Sequence, residues 1–192
     1  MKETDKKPYH LDKKQGTKEY IAYAFQEMLK TMPFNDITVQ EIAEACQISR
    51  ATFYRYFEDK YALLIWIYTE RVATIYAGDG DNRQKMIDCF CYANENRRFF
   101  RQAFFHDPHN TLEKCIFQMT VDSMAHFIME RQHCDALPED VLWSIEFCMA
   151  GAYYAWKKWL VSNSAETPEH LADRIIANSP EVVRVNYYLT ET

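Results

Sequence analysis

Arg50 and Arg55 lie close together in SRATFYRYFEDK. Around them Thr38, Ser49, Thr52, Tyr54, Tyr56 and Lys60 each carry a hydroxyl or ammonium donor. A guanidinium pairs in bidentate fashion with a guanine edge, while hydroxyl and ammonium groups donate to phosphate oxygens. Ala51 is small enough to let a backbone approach a base. This set suits recognition of duplex DNA, although helical hairpins with aromatic corners also occur in all-α proteins that touch no nucleic acid. Other groupings are weaker. Cys89 and Cys91 stand two apart on an expected helix, so their thiols point about 200° apart, and a metal shared with His106 or His109 needs local unwinding. Cys115 or Cys148 with His126 offers a nucleophile and a base, yet no third orienting group or oxyanion turn accompanies them. Phosphate-cradling glycine loops are absent. The sequence therefore predicts a chain that is not an enzyme, with no metal and no cofactor.

Two short helices must position the donors. Thr38 is a candidate N-cap, and Glu41 three residues later completes a capping box. Val39, Ile42 and Ala45 then share a face at helical spacing. The pattern lapses at Cys46-Gln47-Ile48, and Ser49 caps a second helix whose Phe53 and Phe57 face inward. That leaves Arg50, Ala51, Tyr54, Arg55 and Tyr56 on or near the outer rim. Two helices around a tight turn form a helix-turn-helix, whose second helix fits the major groove. Lys60 sits near the start of a further helix, where the dipole favours an anion.

The residues Ile37-Thr38-Val39, Glu41-Ile42-Ala43, Ser49, Thr52-Phe53-Tyr54, Tyr56-Phe57, Lys60 and Leu63-Leu64, with the lead-in Pro33-Phe34, resemble the signature of TetR-family transcriptional regulators over residues 17–66. The resemblance implies a homodimer that places each recognition helix, about 49–56, in the major groove of one half-site of a palindromic operator. Two positions depart from the pattern. Gln47 stands where the family usually has Gly, and a positive φ there costs roughly 1 kcal/mol for a residue with a side chain. Cys46 replaces a small Ala and fits as a small hydrophobe. The segment AGAYYAWKKWLVSNSAETPEHLADRI is also similar to the regulatory domain of the subgroup that includes activators of dihydroxyacetone kinase operons. That likeness implies control by a protein coactivator as an alternative to a small molecule.

Only four Gly and six Pro interrupt 192 residues, so the expected fold is all-α. It comprises a three-helix helix-turn-helix head and a C-terminal helical bundle for regulation and dimerisation, about nine helices in total. The expected division is a disordered basic arm at 1–16, a DNA-binding head at 17–60 and a regulatory and dimerisation body at 61–192. Helix 1 should run from a Thr17 cap to about Met32. An apolar helix at about 58–76 should connect head and body. Five more helices are expected at about 82–94, 96–105, 110–133, 138–163 and 168–177.

The net charge of −6 is unevenly spread. Residues 1–60 hold ten Lys or Arg and ten Asp or Glu, so the whole deficit lies in residues 61–192, while residues 1–18 carry six Lys against three acidic groups. The tail can touch the DNA backbone or act only as a solvated tail. Six Cys without an N-terminal apolar segment, and no apolar run long enough to span a bilayer, point to a reducing cytoplasm and no membrane.

A ligand cavity is expected among the aromatic and Met side chains of residues 82–156, with Tyr92, Phe100, Phe104, Phe105, Phe117, Met124 and Phe147 as candidates. Ordinary core packing accounts for the same residues. The helix at 138–163 carries aromatics around much of its circumference, and Gly151 permits close approach of another backbone. With the helix after Thr167-Pro168 it is the candidate two-fold interface, through Tyr153, Trp156, Trp159, Leu160 and Leu171; otherwise that helix is buried within one subunit. A thiol or metal sensor is the remaining alternative.

Overall fold

The computed structural model describes residues 15–106, 109–162 and 164–189, and every regular element among them is helical. Helix α1, Gln15–Leu29, begins two residues before the expected Thr17 cap. It ends short of Met32 because the amides of Lys30 and Thr31 bond three residues back, to Glu27 and Met28. Such bonds tighten the last turn and close the helix ahead of Pro33. The expected arm falls almost wholly outside the described residues; only Gln15 and Gly16 appear, as the opening of α1. Ile21, Phe25 and Leu29 form the buried stripe of α1. Phe34 follows in a single 3-10 turn, Phe34–Asp36, and its ring meets Phe25 and Tyr61 edge-on at 6.1 and 5.2 Å.

Helices α2, Val39–Ala45, and α3, Arg50–Tyr54, make the hairpin. The expected connector is α4, Lys60–Ala77, whose N-cap Asp59 accepts from the Ala62 amide at 2.7 Å. Beyond Gly78 come α5, Asn82–Glu95; α6, Arg97–His106; α7, Thr111–Gln132; α8, Glu139–Val161; and α9, Pro168–Ala177. The bounds expected for these five lie within two residues of those found. Thr167 and Pro168 start α9 as a cap and a proline in the first turn.

One element was missed. After Pro180 a short helix α10, Glu181–Val183, runs directly into a π-helical turn, Arg184–Tyr188, that buries Tyr187 and Tyr188. Asn82 anchors this turn by donating from Nδ2 to the Tyr187 carbonyl at 2.9 Å. The main core is continuous from α1 through α9, and a second cluster packs Met124, Ile128, Ile145, Met149, Val183 and Tyr188 at the far end of α7 and α8. A half-buried ion pair, Lys157 to Glu113 at 2.6 Å, also ties α8 to α7.

Candidate DNA-reading head and body cavity

The hairpin is built from reciprocal caps. The Glu41 amide donates to Thr38 Oγ1 at 3.2 Å, and the Thr38 amide donates to Glu41 Oε2 at 2.8 Å. The bonds that Glu41 Oε2 accepts from the Thr38 amide and hydroxyl hold its carboxyl below the usual range, with the Lys60 charge adding a smaller effect. At the other end of α2 the Ile48 amide reaches Ala43 O at 2.9 Å and the Gln47 amide reaches Glu44 O at 3.0 Å. That bond pair is a Schellman closure, whose pivot residue must be left-handed. Gln47 is that pivot, at φ 53°. The turn thus keeps the geometry for which glycine is suited, and Gln47 bears the cost.

Ser49 opens α3 by accepting from the Thr52 amide at 3.0 Å. Phe53 is fully buried; its ring lies 5.8 Å from Phe57, which meets Trp66 of α4 at 5.6 Å. This aromatic column fastens α3 to α4 and leaves Arg50, Ala51, Tyr54 and Arg55 exposed, with Tyr56 half-buried. Arg50 already stacks over the Tyr54 ring at 5.9 Å, with Nη2 3.4 Å from the phenol oxygen. The remaining donors have internal duties. Thr38 gives its hydroxyl proton to Glu41 Oε2 at 2.8 Å, and the hydroxyls of Ser49 and Thr52 bond each other at 2.9 Å.

Lys60 is placed differently from the sequence expectation. Its Nζ donates to the carbonyls of Phe34, Ile37 and Asn35 at 2.8, 2.8 and 3.3 Å, and lies 4.6 Å over the Phe34 ring. An ammonium has three protons, and each has a carbonyl to meet. Partial burial lowers its pKa, against the pull of Asp36 and Glu41. Lys60 is therefore a bracket inside the head and has no proton to spare for a phosphate. Cys46 is buried and its thiol is pushed up to about 11, which suits packing rather than redox chemistry.

The body holds a cavity of about 310 Å³, partly open to solvent, between α4, α5, α7, α8 and the C-terminal turn. Of the candidates, Tyr92 and Met124 line it. The others are corrected. Phe100 and Phe104 are buried in solid core, their rings 5.9 Å apart and each against Trp156; Phe117 is half-buried against the second cluster; Phe105 and Phe147 face solvent. Helix α4, expected only to connect head and body, also lines the cavity, through Tyr68, Val72 and Tyr76, whose spacing of four marks one face. Tyr187 belongs to the missed turn, and its hydroxyl lies 3.4 Å from that of Tyr76. Burial raises the pKa of Tyr68, Tyr76, Tyr92, Tyr187 and Tyr188, and pushes Cys89 up to about 12. Among the described residues no group of three or more His, Cys, Asp or Glu is arranged to hold a metal.

The residues expected at a two-fold interface also lie elsewhere. Tyr153, Trp156, Trp159, Leu160 and Leu171 are all buried within the single chain. The aromatic supply of α8 is split between two faces: the inner face packs on α5, α6 and α7, while Trp143 and Phe147, stacked at 5.2 Å, and Tyr154 are more than 60% exposed. Gly151 lies between them with nothing within 4 Å of where a Cβ would stand. The exposed side of α9 is charged, with Arg83 paired to Asp173 and Arg174 to Glu166.

Residues 27–66 match the family model described as bacterial regulatory proteins of the tetR family, and residues 81–179 match that of a transcriptional regulator C-terminal region. The HTH-type dhaKLM operon transcriptional activator DhaS of Lactococcus lactis is 27% identical over 124 residues, which cover 58% of this chain and 66% of that protein, just under two thirds of its length. Among solved structures, the dihydroxyacetone kinase operon activator DhaS aligns over 92% of this chain and 98% of its own, with a TM-score of 0.61 at 17% identity. A TetR regulator from Streptococcus agalactiae aligns over 84% and 92%, at 0.62 and 20%. The Thermus thermophilus repressor FadR, solved with lauroyl-CoA, aligns over 91% and 97%, at 0.56 and 16%. At these identities the structures speak for the fold. With family models matched in both head and body, the chain belongs to the TetR family of DNA-binding transcriptional regulators.

Proposed function

We propose that the protein acts in the cytoplasm as a homodimer that binds a palindromic operator and is controlled by a small molecule held in the body. The observation that carries the reading is the outer edge of α3. Arg50, Ala51, Tyr54 and Arg55 face solvent while Phe53 and Phe57 fix the helix from behind. Arg50 and Arg55 suit base edges or phosphates, and Tyr54 a phosphate. Residues 17–60 then read the DNA, and residues 61–192 carry the dimer contact and the effector.

The dimer contact is proposed on the outer face of α8, through Trp143, Phe147 and Tyr154, because their apolar rings are uncovered and bare Gly151 lets a second helix come close. An effector in the cavity would alter the spacing of the two heads and so their fit to successive major grooves. Control by a protein coactivator is the competing reading, implied by the resemblance of residues 150–175 to the regulatory domain of the subgroup that includes activators of dihydroxyacetone kinase operons; the apolar cavity in the body favours a small molecule. Gel shift and footprinting on DNA upstream of the gene test the proposal. It expects a protected two-fold site and at least a 1,000-fold preference over random duplex at physiological salt. Equal affinity for both would overturn it.

A further inference from the structure

The connector α4 is fastened unequally along its length. At the head end Lys60 holds it to the carbonyls of Phe34, Asn35 and Ile37, and Leu63, Leu64, Ile67 and Tyr68 are buried. Over residues 70–77 only Ile75 is buried. Here Val72, Ala73 and Tyr76 border the cavity, while Glu70, Arg71, Thr74 and Ala77 are exposed. A stretch of helix with a void on one face and water on another has little packing to fix it and opens readily.

The C-terminal turn supplies what packing does not. It is anchored on α5, where Asn82 donates to the Tyr187 carbonyl at 2.9 Å and the Tyr188 hydroxyl lies 3.9 Å from the Met86 sulfur. It is also anchored on α7, where the Tyr187 ring meets Phe127 edge-on at 5.2 Å and Gln132 Nε2 donates to Asn186 Oδ1 at 3.1 Å. So held, the turn brings the Tyr187 hydroxyl to 3.4 Å from that of Tyr76, near the far end of α4. A π-helical turn is rare and is frequently found at functional sites. This one lies beyond residue 179, where the family match ends.

We infer that the turn after Pro180 is a latch that ties the far end of α4 to the body, with Asn82 as its anchor and the Tyr187–Tyr76 pair as its bolt, and so positions the head. Sixteen residues separate Lys60 from Tyr76, about 24 Å of helix. A swing at the bolt therefore becomes a displacement at the head. On the reading above that paired heads bind an operator, an unlatched α4 leaves their spacing variable and weakens the fit to successive major grooves.

Hydrogen exchange of the full-length protein tests the latch, because local opening is read stretch by stretch. Tyr76→Phe deletes only the bolt's hydroxyl, and Asn82→Ala removes the anchor. Tyr76→Phe is expected to speed exchange over residues 72–77 by roughly 3- to 10-fold, the worth of one hydrogen bond. Asn82→Ala should speed it more, since a buried carbonyl is left unmatched. Residues 63–68 should keep the wild-type rate in both. Unchanged exchange over 72–77 would overturn the inference and make the turn a mere plug; equal acceleration of both stretches would overturn it as general loosening. If Asn82→Ala fails to fold, Tyr76→Phe decides alone.

Operator affinity is measured on the same variants and is expected to fall by roughly 3-fold or more, in step with the lost bond. Unchanged or tighter operator binding by a variant whose residues 72–77 have loosened would overturn the positioning role. Wild-type protein that prefers no duplex would instead defeat the operator reading, and exchange over 72–77 would still decide whether the turn ties α4.

Discussion

Gln47 spends its life in a left-handed conformation that only glycine adopts without cost. Gln47→Gly should therefore raise the stability of the hairpin by roughly 0.5–1 kcal/mol, read as a higher urea midpoint with the slope unchanged. Lys60→Met should act in the opposite sense. It strips three carbonyls of their donor and should cost on the order of 1–3 kcal/mol. If Lys60 were instead a phosphate contact, the same change would weaken DNA binding and leave melting untouched. Glu41 gives a pH signature. Its carboxyl is held low in the folded head, so its contribution is present above the ordinary carboxylate range and is lost as pH falls through the lowered value. Gln also completes a capping box. The gap in melting temperature between the wild-type protein and Glu41→Gln should thus shrink between pH 7 and pH 3; a constant gap would rule out the linkage.

Helix α8 argues at the next scale, because one sequence stretch serves two environments. Leu160→Glu puts a charge into fully buried core and should unfold the chain or destabilise it by about 3–5 kcal/mol. Phe147→Glu touches only the exposed stack with Trp143. It should leave the helical signal intact, convert dimer to monomer in sedimentation, and weaken operator binding steeply. The contrast also shows what the sequence could tell. Helix bounds were legible because caps, prolines and apolar spacing are local, as at Thr38, Ser49 and Thr167-Pro168. The direction in which a helix turns its apolar residues was not legible for α8, where Tyr153 and Tyr154 are neighbours in sequence and opposite in burial. Tyr187 and Tyr188 escaped because a π-helical turn has no long period to detect. The place of Lys60 was not legible either, because residue type names a donor and says nothing of which oxygen is nearer, here the carbonyls of Phe34, Asn35 and Ile37.

For the molecule as a whole, a charge of −6 means that its grip on DNA depends on a few placed cations. Each phosphate contact contributes about −0.9 to the slope of log K against log salt. If Arg55 touches a phosphate, Arg55→Ala removes two such contacts from the proposed dimer and should make the slope shallower by about 2 over a titration from 50 to 200 mM salt. An unchanged slope with lower affinity would mean that Arg55 reads a base instead. The cavity, for its part, is completed by Tyr187 and Tyr188 from the last described turn. Chains grow from the N-terminus, so during synthesis the walls from α4, α5, α7 and α8 emerge first and stand open to water until that turn docks beneath Asn82. A small molecule that binds only the closed form stabilises finished protein by mass action. If the proposed effector is such a molecule, the pool of regulator in a cell would also depend on it, because newly made chains would mature most securely when it is at hand.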